Sequence, residues 1–266
     1  MKLTNKKVLV VGLGASGVET IVFLKKHGAQ VTAADTAAEK ELESSMRRLK
    51  DMDINFAFGS HRVETFLAAD LIIISPGVPH TIPAVAAARK KGIPVMGEIE
   101  LASRFIAEPM IAVTGTNGKT TTTELLGDML KKSGQRVFVG GNIGNPLIGY
   151  VGSPLKADHL VVEVSSFQLD TIETFKPRIS LLLNITPDHQ DRYTDFGAYV
   201  ESKVRIFKNQ TPHDTAILNG FNPWIRGLCG RITAEKLFFT GRETHEAGGS
   251  ITPDGIRFQL QSGATT

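Results

Sequence analysis

Along the first hundred residues, short apolar-rich runs alternate with longer stretches in which apolar positions recur every three or four residues. The runs at 8–11, 30–34, 54–58, 71–74 and 94–96 predict strands, and the stretches at 14–27, 38–49, 82–91 and 98–106 predict helices. Leu71-Ile-Ile-Ile74 offers no polar residue to either side, so it reads as a strand buried on both faces. Strands of that kind, separated by helices, build a parallel sheet covered on both sides. The pattern is interrupted at Glu108-Pro109, where the proline disfavours helix continuation. A domain boundary is therefore expected within 97–109.

Beyond that step, strands are expected at 110–113, 136–139, 159–164, 179–184, 215–219 and 236–239, with helices at 120–132, at 196–208 and after Pro223. Glycine becomes frequent after residue 240, and Gln261-Ser-Gly-Ala-Thr-Thr266 carries no cap, helix or strand signal. The 266 residues leave room for two domains. The expected class is α/β in both.

Composition narrows the function classes. Hydrophobic residues make up 41% and charged ones 21%, as in soluble globular proteins. The 30 basic and 27 acidic residues leave a net charge of +3, too balanced for a nucleic-acid partner; local basic patches suit small anionic ligands instead. A single cysteine, Cys229, excludes an internal disulfide and fits a reducing cytoplasm. Lys2, Lys6 and Lys7 precede an apolar run too short for a signal-peptide core. No run approaches the roughly 18 apolar residues that a membrane span needs.

The strongest chemical signal lies at 111–124, Ile-Ala-Val-Thr-Gly-Thr-Asn-Gly-Lys-Thr-Thr-Thr-Thr-Glu. An apolar strand runs into a glycine-containing loop and then a helix, so several backbone N–H groups and the helix dipole converge on one anion. Lys119 adds a positive charge for the outer phosphates and the Thr120 hydroxyl suits Mg²⁺. ATP is the expected ligand. Val113 fills the first glycine position of the usual G-x-x-x-x-G-K-[ST] loop, and the plainer alternative is a glycine turn before an amphipathic helix.

A second glycine loop, Gly12-Leu-Gly-Ala-Ser-Gly17, fits G-x-G-x-x-G, with Asp35 at the end of the next strand, where an acid reads a ribose. Taken alone, it says dinucleotide binding, as in an NAD-dependent oxidoreductase. The same glycines also serve any ligand whose phosphates meet that helix start. Ser75-Pro-Gly-Val-Pro79 follows the fourth strand on the ligand-binding side, or is a simple turn.

Four further segments accompany the phosphate loop: Gly140-Gly-Asn-Ile-Gly-Asn-Pro146, Glu163-Val-Ser-Ser-Phe-Gln-Leu169, Asn184-Ile-Thr-Pro-Asp-His-Gln-Asp-Arg-Tyr193 and Lys203-Val-Arg-Ile-Phe207. A carboxylate and an imidazole just beyond apolar strands suit Mg²⁺ beside a triphosphate. Separately, Glu163 also reads as a buried capping acid, His189 as a turn residue and Lys203 as a solvated helix lysine. Together the segments resemble the Mur ligase family of peptidoglycan synthesis, and Ser-Ser-Phe-Gln-Leu is similar to its D-glutamate-adding members. The resemblance runs from about Lys6 to Phe207. Gln190 departs from it, standing where relatives carry an apolar residue.

The resemblance implies a Rossmann-like N-terminal domain over 1–100 that binds a UDP-sugar. A P-loop NTPase-type central domain over 101–266 would follow, incomplete at its C-terminal end, with an amino-acid-binding domain beyond. It assigns Gly14, Ala15, Ser16, Asp35, Thr36 and Gly77 to the uridine diphosphate end of the substrate. Asn142, Ser165 and Gln168 would lie along the muramoyl-peptide part. Gly115, Thr116, Asn117, Gly118, Lys119, Thr120 and Thr121 would bind ATP. Thr120, Glu163, His189 and an N-carbamylated Lys203 would hold Mg²⁺, with Lys119, Lys203 and His189 as the catalytic set.

The implied reaction joins D-glutamate to UDP-N-acetylmuramoyl-L-alanine through an acyl phosphate, driven by ATP, in a cytoplasmic monomer with no nucleic-acid or membrane partner. For this chain alone the expectation is sugar-nucleotide binding, weak ATP binding and no product. A sibling ligase adding another amino acid, a non-catalytic nucleotide-binding module and the NAD enzyme remain the alternatives.

Overall fold

The computed structural model describes residues 1–189, 191–240, 247–252 and 255–259; Gln190 and the terminal Gln261–Thr266 lie outside the described residues. The chain divides into two compact units. Met1–Ala107 joins Gly144–Lys156 and Asp170–Phe175 in the first; Glu108–Ile143, Ala157–Leu169 and Lys176–Thr266 form the second.

The first unit runs β1 (Lys7–Val11), α1 (Ala15–Lys26), β2 (Gln30–Asp35), α2 (Glu43–Leu49), β3 (Ile54–Phe58), α3 (Val63–Leu67), β4 (Leu71–Ile74), α4 (Pro83–Lys90), β5 (Val95–Gly97) and α5 (Glu98–Ser103). Its five strands lie in the order β3-β2-β1-β4-β5, with every neighbouring pair parallel. Val8–Val11 and Leu71–Ile74 are buried throughout, as strands without a polar face must be. Pro83 opens α4, where its missing N–H has no helical partner to lose, and Arg89 and Lys90 close it against the negative dipole end.

Across the boundary come β6 (Met110–Thr114), α6 (Lys119–Lys132) and β7 (Val137–Gly141). The chain then re-enters the first unit for α7 (Leu147–Val151) before β8 (His159–Glu163), α8 (Ser166–Leu169), β9 (Ile179–Leu182), α9 (Phe196–Val204), β10 (Thr215–Asn219), α10 (Pro223–Leu228), β11 (Glu235–Thr240), β12 (Gly248–Thr252) and β13 (Gly255–Gln259). Among the described residues the second sheet has the order β13-β12-β11-β10-β9-β6-β8-β7. It is parallel except for the antiparallel β12–β13 pair.

The expected α/β class in both halves and the parallel sheet expected in the first are borne out. Three helices are shorter than expected. The helix expected at 38–49 begins as a 3₁₀ turn at Glu39–Leu42, the one at 98–106 stops at Ser103, and the one at 196–208 gives way to a 3₁₀ turn at Arg205–Phe207.

Helix α5 anchors both segments that return to the first unit, through two buried carboxylates. Glu98 Oε1 accepts the Ile148 N–H at 2.6 Å in the first turn of α7, while its Oε2 is buried without a hydrogen-bond partner. Glu100 accepts the backbone N–H groups of Glu173, Thr174 and Phe175 at 2.9–3.0 Å, the Thr174 hydroxyl at 2.6 Å and Arg104 Nε at 2.8 Å. Burial pushes the Glu98 carboxyl up to about 7, only partly opposed by the Ile148 N–H. Burial acts on Glu100 the same way, but the bonds from Thr174, Glu173, Arg104 and Phe175 outweigh it and hold that group below the ordinary carboxylate range.

A pH dependence follows for Glu98. The folded chain holds this proton more tightly than the unfolded chain between the ordinary 4.5 and about 7, so its contribution to stability falls as pH rises through that window. Glu98→Gln is expected to flatten this slope and to leave the variant more stable than the parent at pH 8, by up to about 3 kcal/mol. Denaturant titrations at pH 5 and pH 8 check this; parallel slopes for the two proteins would refute it.

Candidate functional site

In the first unit, β1 is the strand at which the sheet order reverses, with β2 and β3 on one side and β4 and β5 on the other. Open α/β sheets bind ligands beyond the carboxyl ends of strands at that point. Gly17 lets α1 seat against the turn, since a Cβ there would collide with the Gly12 carbonyl. Asp35, at the end of β2, accepts the Leu13 N–H at 2.7 Å and the Ala37 N–H at 2.9 Å, so it shapes the glycine loop as well as facing it. Ser75 Oγ donates to the Gly12 carbonyl at 3.0 Å and ties the loop after β4 to the same turn. The result is a cleft of ≈ 390 Å³ lined by Gly12–Ser16, Asp35, Thr36, His61 and Ser75–Val78. Gly14, Ala15, Ser16, Asp35, Thr36 and Gly77, all singled out in the sequence, share it.

In the second unit the corresponding reversal lies at β6, between β8 and β9. The phosphate loop leaves β6, and Gly118 turns it into α6 with a left-handed φ of 80°, a conformation glycine adopts without a Cβ penalty. Asn184, just after β9, grips the loop from both sides. It receives the Asn117 N–H at 2.8 Å on Oδ1, donates Nδ2 to the Asn117 carbonyl at 2.9 Å, and accepts the Thr116 N–H on its own carbonyl at 3.0 Å. The Thr116 hydroxyl accepts the Thr186 N–H at 3.1 Å and lies 3.0 Å from the Tyr199 hydroxyl. Burial raises the Tyr199 pKa against the opposing pull of Thr116, so the phenol keeps its proton at neutral pH.

Two cations meet at the loop. Lys119 Nζ donates to the Gly115 and Thr116 carbonyls at 3.1 and 2.9 Å, and the buried Lys203 donates to the same Gly115 carbonyl at 2.8 Å. Lys203 also lies 4.7 Å from the Tyr199 ring centre. Beside them runs a polar relay. Thr120, in the first turn of α6 with Thr121, donates its hydroxyl to Glu163 Oε2 at 2.8 Å, and Asn142 Nδ2 donates to Glu163 Oε1 at 2.9 Å. Glu163, at the end of β8, is 1% exposed, so these two bonds hold a carboxylate that water does not reach.

Other expected site residues stand apart from this relay. Gln168 Oε1 accepts both the N–H and the hydroxyl of Ser165, at 3.0 and 3.2 Å, across the start of α8. His189 takes a left-handed φ of 51°. Its ring packs 4.8 Å from that of Phe167 and 6.0 Å from that of Tyr199, with Nε2 3.7 Å from the Asp188 carboxylate. Among the described residues no three His, Cys, Asp or Glu side chains converge as a metal cluster. The Thr120–Glu163 pair is nonetheless a hard-oxygen donor set of the kind Mg²⁺ takes when it shares its shell with phosphates.

Asn184, Tyr199 and His61 were not among the expected site residues. Asn184 and His61 follow the strands β9 and β3, and the rule that ligands gather beyond strand ends was the available signal. Tyr199 carried none, because its contact spans 83 residues of sequence. Among the described residues no helix is long and apolar enough to cross a membrane.

Residues 113–262 match the family described as Mur ligase middle domain, and residues 6–97 match Mur ligase MurD-like, N-terminal domain. The chain is 54% identical over 258 residues to UDP-N-acetylmuramoylalanine--D-glutamate ligase of Desulfatibacillum aliphaticivorans, covering 97% of this chain and 57% of that protein. It is 46% identical over 263 residues to the protein of the same description from Koribacter versatilis, covering 99% and 58%. The chain thus spans a little over half the length of these relatives. A solved UDP-N-acetylmuramate:L-alanyl-gamma-D-glutamyl-meso-diaminopimelate ligase from Neisseria meningitides shares the fold, with a TM-score of 0.62 at 18% identity, covering 96% of this chain and 85% of that one.

Proposed function

Because the chain belongs to the Mur ligase family, we propose that it carries the sugar-nucleotide and ATP sites of an ATP-dependent ligase that joins D-glutamate to UDP-N-acetylmuramoyl-L-alanine. The observation that carries this reading is the phosphate loop of the second unit, with two lysines on the Gly115 carbonyl and Thr120, Glu163 and Asn142 linked beside it. The function of the relatives at 54% and 46% identity, UDP-N-acetylmuramoylalanine--D-glutamate ligases, supports the choice of substrates.

In the proposed reaction a substrate carboxylate oxygen bonds to the γ-phosphorus of ATP as the bond to ADP breaks, giving an acyl phosphate. The amine of D-glutamate then forms the C–N bond and phosphate leaves. The physical difficulty is the approach of two anions. The N-terminal end of α6 and the loop amides orient the phosphates, and Lys119 offsets their charge. Thr120 and Glu163 would hold Mg²⁺, which when bound spreads the negative charge of the phosphate oxygens. Asn142 and Asn184 keep Glu163 and the loop in register through the bonds described above. Lys203 belongs to the same proposal as the residue that becomes carbamylated, and His189 as a further metal ligand.

The cleft of the first unit takes the uridine diphosphate end of the substrate in this reading. Calorimetric titration of the chain with UDP-N-acetylmuramoyl-L-alanine, with NAD in parallel, tests it. Saturable binding of the uridine ligand and none of NAD is the expected result. Binding of NAD alone would return the glycine fingerprint to a dinucleotide site and overturn the proposal in its first hundred residues.

A further inference from the structure

His61 follows β3 and lines the cleft of the first unit. The turn that carries it is tied to the end of β2: the Gly59 N–H donates to the Asp35 carbonyl at 2.9 Å, and Phe58 pairs with Asp35 in the sheet register. The imidazole packs edge-on against the buried Phe66, with ring centres 5.7 Å apart. Its Nδ1 is buried and has no hydrogen-bond partner.

The stranded nitrogen decides the tautomer. Burial lowers the His61 pKa, against the pull of the Asp35 charge, so the ring is neutral at physiological pH. A neutral imidazole has one N–H and one lone pair. An unpaired buried N–H is the rarer and costlier defect, so the lone pair sits on Nδ1 and the proton on Nε2. Nε2 is therefore the nitrogen left for a ligand, and it is a donor.

Position along the sheet decides what it meets. The strand order β3-β2-β1 sets out three stations in a row. Phosphates belong at the glycine loop after β1, and a ribose belongs at the Asp35–Thr36 corner after β2. The next station outward is the turn after β3, where a nucleotide presents its base. We propose that His61 reads that base, with Nε2–H donating to the 4-carbonyl oxygen of uracil. That oxygen lies on the edge of the ring remote from the ribose, and cytosine replaces it with an amino group that cannot accept. His61 thereby selects uridine over cytidine nucleotides. This assignment rests on the reading of the cleft as a uridine-nucleotide site.

Calorimetry on the 266-residue chain with UDP and CDP tests it. The parent is expected to bind UDP more tightly than CDP. His61→Ala should weaken UDP roughly five- to tenfold, as expected for one lost hydrogen bond, and leave CDP nearly unchanged. His61→Gln, whose amide nitrogen reaches the Nε2 position as a neutral donor, should recover much of the preference. Circular dichroism melts confirm that both variants fold. Equal losses for UDP and CDP, or UDP binding untouched in His61→Ala, would overturn the base-reading role and leave the uridine site standing. A parent chain that binds neither nucleotide would overturn the site itself.

Discussion

Lys119→Ala is expected to cut the proposed ATP-dependent ligation by about 10²- to 10³-fold in a full-length enzyme bearing this segment, the scale on which loss of one preorganised electrostatic group acts. Among the described residues its ammonium is held by two neutral carbonyls, those of Gly115 and Thr116. Its charge is thus pointed at the loop without being cancelled there. Lys203 does not substitute for it, because that side chain is buried, with its ammonium donating to the Gly115 carbonyl. The half-buried Lys119 makes no contact on which the core depends, so the melting temperature should stay within a degree or two of the parent. Steady-state rates and MgATP titrations separate the two effects. Turnover near the parent rate would remove Lys119 from the mechanism.

Glu100→Ala is expected to be the most damaging change to stability, costing about 3–5 kcal/mol, as removal of one partner from a buried charged network does. The substitution leaves three consecutive backbone N–H groups and Arg104 without their common acceptor. Hydrogen exchange offers a local readout. The amides of Glu173, Thr174 and Phe175 should lose protection first, ahead of those in β1 and β4. Because the Glu100 pKa is depressed in the fold, its contribution is present above the ordinary carboxylate range and is lost on acidification. Glu98, two residues away, behaves in the opposite sense. Unchanged protection in the variant would mean that the segment is held by its apolar contacts alone.

Most strands were legible because they are short apolar-rich runs, clearest at Val8–Val11, Leu71–Ile74 and Met110–Val113. The helices α3, α7 and α8, of five, five and four residues, were not, since one turn of helix cannot display a 3.6-residue period. β12 and β13 were missed for another reason. Gly248, Gly249 and Gly255 suppress the alternation by which an antiparallel pair is recognised. The phosphate loop was readable because all its atoms come from one contiguous segment. The grip of Asn184 on Asn117 and the meeting of Thr116 with Tyr199 were not, because they depend on how β6 and β9 pair and on where α9 then passes.

The chain's two excursions back into the first unit bear on how such a protein can be rearranged. Residues 107 and 108 look like a seam along which a gene could be cut and its front half grafted to a new partner. Such a cut would carry away Glu98 and Glu100 while leaving Ile148 and Glu173–Phe175 behind. The front half would then expose two carboxylates shaped to receive amides it no longer owns. Recombination that preserves this unit has to move three separate stretches of the gene together, and the intervening stretches of the second unit move with them.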